Sequence, residues 1–231
     1  MSGSFKLTRG VVDQAISFTG SGSFATVIPA PDSGLLDLSR VAESGMTVRM
    51  RVKFTAFVED NYYLTTGADQ PTGQGIAFFY RLGRIIVVFS TQTQLWSVSF
   101  SASQMLSFGS WYKFEFSWSL VSGLELYIND AFVVGSKVAM TRGLTAVAVE
   151  QVFFATRSET EKTTAVIEVE EFITFTATRT VLVEKAGFKL GGYSLTCFLS
   201  LCLNMILYNK ELVIFDYIIK FIYIFYNKEI E

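Results

Sequence analysis

Between Val11 and Thr178 the apolar and polar residues alternate with a period of two rather than three or four. In the run 46–57, Met46, Val48, Met50, Val52, Phe54 and Ala56 alternate with Thr47, Arg49, Arg51, Lys53 and Thr55. Successive side chains of a strand point to opposite faces, so this pattern predicts one buried face and a row of three cations on the other. The same alternation recurs in 111–118, where Tyr112, Phe114, Phe116 and Trp118 oppose Lys113, Glu115 and Ser117. Leu124, Leu126 and Ile128 repeat it against Glu125, Tyr127 and Asn129, and 85–89 is a continuous apolar run. Turn signals separate these runs: Gly20-Ser21-Gly22, Asp32-Ser33-Gly34, Asp60-Asn61, the stretch from Gly67 to Gly75, Leu82-Gly83, Ser122-Gly123 and Asn129-Asp130. Roughly eleven to thirteen short strands, with no sustained helical period, predict an all-β fold. An antiparallel two-sheet jelly-roll sandwich accommodates that number, and its function would sit in the loops at its rims.

Composition then divides the chain. From 188 to 231, Phe, Ile, Asn, Lys and Tyr make up 24 of 44 residues, against 38 of 187 before it. Both cysteines, Cys197 and Cys202, fall in this apolar C-terminal tail, so they say nothing about the redox compartment of the rest. Three readings of the tail stand: a membrane-associated segment, a packed helical hairpin, or translated non-coding sequence. The run 194–208 is shorter than the roughly 20 residues a bilayer requires. The run 212–226 carries Asp216 and Lys220 near its middle. The expected organisation is a lead-in at 1–9, one domain at 10–178, a linker at 179–187 and the tail at 188–231. Residues 1–10 lack the apolar core of a secretory signal, so no signal peptide is expected within this chain.

The charge pattern excludes further classes. The chain has no histidine, so it offers no Ser-His-Asp relay and no His-ligated zinc or haem. A net charge of −2 gives no basic footprint for nucleic acid.

The order of the pieces carries a resemblance. The opening 10–24 (GVVDQAISFTGSGSF) resembles the first hairpin of the laminin G-like family, within the concanavalin A-like lectin and glucanase fold. The run 46–54 resembles its long amphipathic strand. The segment 109–118 (GSWYKFEFSW), followed after a Ser-Gly turn by 124–133 (LELYINDAFV), resembles a Trp-initiated strand paired through a Tyr-x-Asn/Asp-Gly hairpin, with Asp130 where the family has Gly. The segment 169–175 resembles its closing strand. The likeness implies a non-catalytic recognition module that binds a glycan or an extracellular protein from one rim. It also implies placement outside the cell or at its surface, in a larger adhesion, matrix or receptor protein, in some members with calcium.

Candidate chemistry is sparse. Arg49, Arg51 and Lys53 form a row with about 6.6 Å spacing that suits sulfates or an acidic partner, unless cross-strand carboxylates such as Glu115 or Glu125 neutralise it. Tyr62 and Tyr63 point to opposite faces of a strand, so one of them is expected exposed beside the Asp60 turn as a ligand contact. Calcium would draw on loop oxygens, with Asp60 and Asp69 the first candidates. Trp96, Trp111, Trp118 and Tyr127 read as packing residues ahead of sugar platforms. The run Glu168-Val169-Glu170-Glu171-Phe172 superficially resembles the paired carboxylates of a glycoside hydrolase. Its spacing breaks the Glu-x-Asp-x-x-Glu pattern, so no enzyme is expected, and Glu171 is expected at a bulge. A hydrolase or lectin of the same fold, and a spacer domain without ligand, remain the alternatives. The tail is the one segment that would contact a membrane.

Overall fold

The computed structural model describes residues 2–11, 14–20, 22–28, 38–71, 73–142, 151–157 and 165–179. The linker beyond 179 and the tail at 188–231 lie outside the described residues. Among the described residues no helix is long and apolar enough to cross a membrane.

The described residues form fifteen strands. These are β1 (Ser2–Ser4), β2 (Lys6–Arg9), β3 (Gln14–Thr19), β4 (Phe24–Val27), β5 (Met46–Phe54), β6 (Asn61–Thr65), β7 (Gly75–Arg81) and β8 (Arg84–Ser90). They continue with β9 (Gln94–Ser101), β10 (Trp111–Ser119), β11 (Gly123–Ile128), β12 (Ala131–Ser136), β13 (Met140–Thr141), β14 (Val152–Phe154) and β15 (Val166–Phe175). A single helical turn, α1 (Ala102–Met105), interrupts the β9 to β10 connection. All pairings are antiparallel and fall into two sheets, β1-β4-β14-β6-β7-β8-β9-β13 and β12-β11-β10-β5-β15-β3-β2. The two-sheet sandwich expected from the periodicity is the fold observed.

The period-two runs become strands where the alternation is cleanest. Met46, Val48, Met50, Val52 and Phe54 of β5 are fully buried, as are Phe114, Phe116 and Trp118 of β10 and Leu124 and Leu126 of β11. The rings of one sheet insert between those of the other. Phe54 lies 5.1 Å from Tyr63 of β6, Phe78 of β7 lies 5.2 and 5.1 Å from Phe114 and Phe116, and Trp96 of β9 meets Trp118 edge-on at 5.2 Å. Burying each such side chain stabilises the fold by about 1.5–3 kcal/mol, and edge or tilted ring pairs add about 0.5–1.5.

Two turns show the local chemistry. Asn129 and Asp130 have φ of 51° and 69°, the positive values a two-residue type I′ hairpin requires, so Asp130 fills the place of Gly without opening the turn. Leu82 and Gly83 do the same between β7 and β8, with φ of 51° and 74°.

Two expectations change. The first hairpin is not a hairpin: β3 pairs with β2 and β15, whereas β4 pairs with β1 and β14 in the opposite sheet. The Gly20–Ser23 turn, with Gly20 at φ 99° and Gly22 at φ 80°, carries the chain across the sandwich. The sheets also begin before Gly10, because β1 and β2 each add a strand and Phe5 between them packs on the core.

Phe78 holds rings from both β6 and β10, so its truncation opens a cavity between the sheets. Phe78→Ala is expected to lower unfolding stability by about 3–5 kcal/mol, against about 1 kcal/mol or less for the exposed Phe108→Ala, in urea denaturation. Equal losses at the two positions would contradict this packing.

Candidate functional site

The cation row occurs where the pattern placed it, on the outer face of the seven-stranded sheet, but each cation has a carboxylate. Arg49 pairs with Glu115 of β10 at 2.6 Å, Lys53 pairs with Glu168 of β15 at 2.8 Å, and Arg51 pairs with Glu171. The first pairing is the cross-strand partner expected; the other two come from β15. Backbone register sets Arg51 directly opposite Lys113, a repulsive pair. Lys113 turns instead to Asp130. Arg51 is served by a bulge: the register shifts between Glu170 and Ile173, Glu171 takes φ 54°, and its carboxylate swings to the guanidinium. The bulge also returns Phe172 to the core, where it meets Phe154 edge-on at 5.0 Å. A partly exposed pair such as Arg51–Glu171 contributes only about 0.2–1 kcal/mol, whereas Arg49 compensates the buried Glu115 carboxylate; together the pairs leave little net charge on the row.

The β15 carboxylates are thus distributed among different partners. Glu168 also accepts a hydrogen bond from Thr8, and Glu170 is buried and accepts the Val11 N–H at 2.9 Å. Gly10 lets that carboxylate approach closely, since a Cβ there would lie 2.3 Å from it and displace it.

Tyr62 and Tyr63 point to opposite faces as expected, but neither is exposed: they are 1% and 0% accessible. Tyr63 faces the main core. Tyr62 joins Ala68, Ala77, Phe79 and Val88 in a second apolar cluster on the outer face of the eight-stranded sheet. Residues 66–71 and 73–74 pack over that face, with Ala68 part of the cluster. Ser90 Oγ donates to the Ala68 and Gly73 carbonyls, and Arg142 donates to the Gln70, Pro71 and Gly73 carbonyls. Gly73 packs so closely that a Cβ would lie 1.7 Å from the Gly67 oxygen. Burial pulls the Arg142 guanidinium below its ordinary pKa.

Asp60 and Asp69 are joined through one network, with guanidinium groups as its cations. The Tyr62 hydroxyl donates to Asp69 at 2.6 Å and accepts from Arg81 at 3.3 Å, while Arg81 also bonds Asp60. Arg157 lies 3.6 Å from Asp69 and 5.5 Å above the Tyr62 ring. Among the described residues no three Asp, Glu, Cys or His side chains gather as metal ligands.

Trp96 and Trp118 are buried, as the packing reading anticipated, and Tyr127 stacks edge-on with Phe132. Sequence reasoning missed one exposed group that includes an aromatic ring. At one end of the sandwich the 55–60 loop, the Leu82-Gly83 turn and the 102–110 connection are tied together. Gly109 N–H donates to Phe54 O, Ala102 N–H to Gly83 O, and Leu82 N–H to the Glu59 carboxylate. Phe57 stacks on Tyr80 at 5.2 Å and meets Phe108 at 4.9 Å. Phe108 and Leu82 remain 58% and 82% exposed, beside Glu59, Asp60 and Arg81. The available signal was Leu82 at the first central position of a two-residue turn, where an apolar side chain has no neighbour to bury it.

Two measurements follow from the buried tyrosines and the paired aspartates. Burial first, then the Asp69 hydrogen bond, raises the Tyr62 pKa, and burial with Tyr80 nearby raises that of Tyr63, both well above the ordinary 10.0. A raised pKa means the fold holds the neutral phenol, so its stability is complete below about pH 10 and falls as pH rises further. Tyr63 Oη has no hydrogen-bond partner among the described residues. Tyr63→Phe is therefore expected to move the alkaline unfolding midpoint, read by tyrosinate absorbance, to higher pH; an unchanged midpoint would contradict the burial. Because Asp60 and Asp69 already hold guanidinium groups, the melting temperature is expected to be equal in millimolar calcium and in chelator. A rise with calcium that Asp69→Asn removes would show a site there.

No family model matches the sequence, and no curated protein is significantly similar to it. Solved structures are similar in fold. The receptor binding domain of botulinum neurotoxin C/D mosaic serotype superposes with a TM-score of 0.54 at 13% identity, over 80% of this chain and 45% of that one. The botulinum neurotoxin serotype D ligand binding domain in complex with N-acetylneuraminic acid gives 0.54 at 13% identity, over 77% and 42%. The binding domain of botulinum neurotoxin DC in complex with rat synaptotagmin II gives 0.52 at 8% identity, over 77% and 43%. The chain thus spans less than half the length of the neurotoxin chains it matches, and the two-sheet sandwich is what they share.

Proposed function

We propose that the protein is a non-catalytic recognition module of laminin G-like type that binds a glycan through the rim formed by the 55–60, 82–83 and 102–110 segments. The observation that carries this reading is the exposed Phe108 ring, packed on the partly buried Phe57 and Tyr80 rings beside Glu59, Asp60 and Arg81. Flat apolar rings edged by charged hydrogen-bonding groups suit a sugar, which presents apolar C–H faces and hydroxyl edges. The alternatives on the sheet faces are weaker, because the Arg49, Arg51 and Lys53 charges are paired and Tyr62 and Tyr63 are buried. Hydrolysis is disfavoured for a related reason. Glu168, Glu170 and Glu171 hold Lys53, the Val11 amide and Arg51, which commits each to the fold.

The fold likeness supports a binding role in general terms, since the matched neurotoxin domains are described with a sialic acid and with a protein ligand. The sequence resemblance adds the setting: outside the cell or on its surface, as one module of a larger adhesion, matrix or receptor protein.

A glycan array of sialylated, neutral and sulfated sugars, run with the wild-type chain and two variants, tests the rim. Phe108→Ala is expected to weaken the bound glycan by about tenfold or more, the loss typical of a truncated anchor aromatic. Glycan binding that survives Phe108→Ala but vanishes in the Arg49, Arg51 and Lys53 triple Ala variant would move the site to the sheet face. No glycan bound at all would favour the spacer reading.

A further inference from the structure

The seven-stranded sheet carries a second recognition feature on its outer face, remote in character from the rim and independent of the glycan reading. After β15 the chain does not leave the sandwich but crosses β5 and β10 as a short strap. Thr47 Oγ1 donates to the Ala177 carbonyl at 2.8 Å, and the Arg179 N–H donates to Ser117 Oγ at 2.8 Å. Thr47 and Ser117 are fully buried beneath it. The Arg179 side chain of this strap is seated in a formed pocket. The Arg179 guanidinium lies 4.1 Å from the centre of the Tyr127 ring, donates to Glu115 Oε2 at 3.1 Å and to the Asp130 carbonyl at 3.3 Å, and pairs with the Asp130 carboxylate at 3.5 Å.

We propose that Glu115, Tyr127 and Asp130 form an arginine-recognition pocket, occupied in cis by Arg179 and able to take instead an arginine on a short segment of a partner protein. Three features make the occupant exchangeable. The pocket keeps its charge balance when vacated, because Glu115 Oε1 remains bonded to Arg49 and Asp130 to Lys113. Emptying it therefore leaves no uncompensated buried carboxylate, the usual obstacle to releasing an internal ion pair. The Tyr127 ring is held in place without Arg179, since its hydroxyl donates to Glu125 at 2.8 Å and its edge meets Phe132 at 5.6 Å. The strap belongs to no strand ladder: Thr47 and Ser117 hold it by one backbone carbonyl and one backbone amide.

The geometry selects arginine over lysine. A planar guanidinium can lie flat on Tyr127 while its edge N–H groups reach Glu115 and Asp130 together; an ammonium satisfies one demand at a time.

The test uses the full chain with Arg179→Ala, titrated by NMR with acetyl-Thr-Ala-Thr-Arg-amide and with the same peptide carrying citrulline, the neutral isostere. The Arg peptide is expected to bind the variant about tenfold or more tighter than the citrulline peptide, with shifts at Ser117 and Tyr127. It is expected to bind the wild-type chain at least tenfold more weakly, because tethered Arg179 competes at an effective concentration of roughly millimolar. Adding Glu115→Gln to the variant should abolish the preference for arginine. Should Arg179→Ala fail to fold, Arg179→Lys retains the charge, vacates the fork and is held to the same preference. Equal binding of the two peptides, no binding to either folded variant, or wild-type binding as tight as the variant's would overturn the proposal.

Discussion

The sandwich depends on one mutual insertion: rings from β6, β7, β8 and β9 enter the spaces between rings from β5 and β10. Phe54, Phe114, Phe116 and Trp118 pack against Tyr63, Phe78, Phe89 and Trp96 of the other sheet within one continuous core. A sheet with one such face cannot persist alone in water, so the two sheets define each other. The links between them follow the same logic. The N-terminal strands divide between the sheets around the inserted Phe5, and the Gly20–Ser23 turn crosses from one to the other.

With the inner faces committed, the outer faces are closed by the chain itself. On the eight-stranded sheet residues 66–71 and 73–74, pinned by Arg142 and Ser90, pack over the Tyr62 cluster. On the seven-stranded sheet alternating cations and carboxylates neutralise one another, and the 176–179 strap lies over Thr47, Glu115 and Ser117. What stays open is the rim, where three connections converge around Phe108. The arginine pocket is instead filled by the chain's own Arg179, so a partner would reach it only by exchange.

How much of this could be read from the residues follows from the range of the contacts. Alternation is local, so β5, β8, β10 and β11 and their buried faces were readable, as were the Asn129-Asp130 turn and the bulge at Glu171. Partners far apart in the chain were not. Glu171 and Glu168 meet Arg51 and Lys53 across more than a hundred residues, and Arg179 reaches Glu115 across 64. Tyr62 was assigned to a face correctly and to solvent wrongly, because period-two logic says which way a side chain points, not what loop covers it. The β3 to β4 connection failed for the same reason: a Gly-rich turn is compatible with a hairpin or a crossing, and only the partners of each strand decide.

The interdependence of the sheets is most directly measured by native-state hydrogen exchange under increasing denaturant. The account predicts that amides of β5, β10 and β15 and those of β6 to β9 merge onto one isotherm at the free energy of global unfolding, while amides of the 55–60 and 102–110 segments exchange through smaller openings. One sheet exchanging through a sub-global opening while the other stays protected would contradict the claim that each exists only by packing on the other.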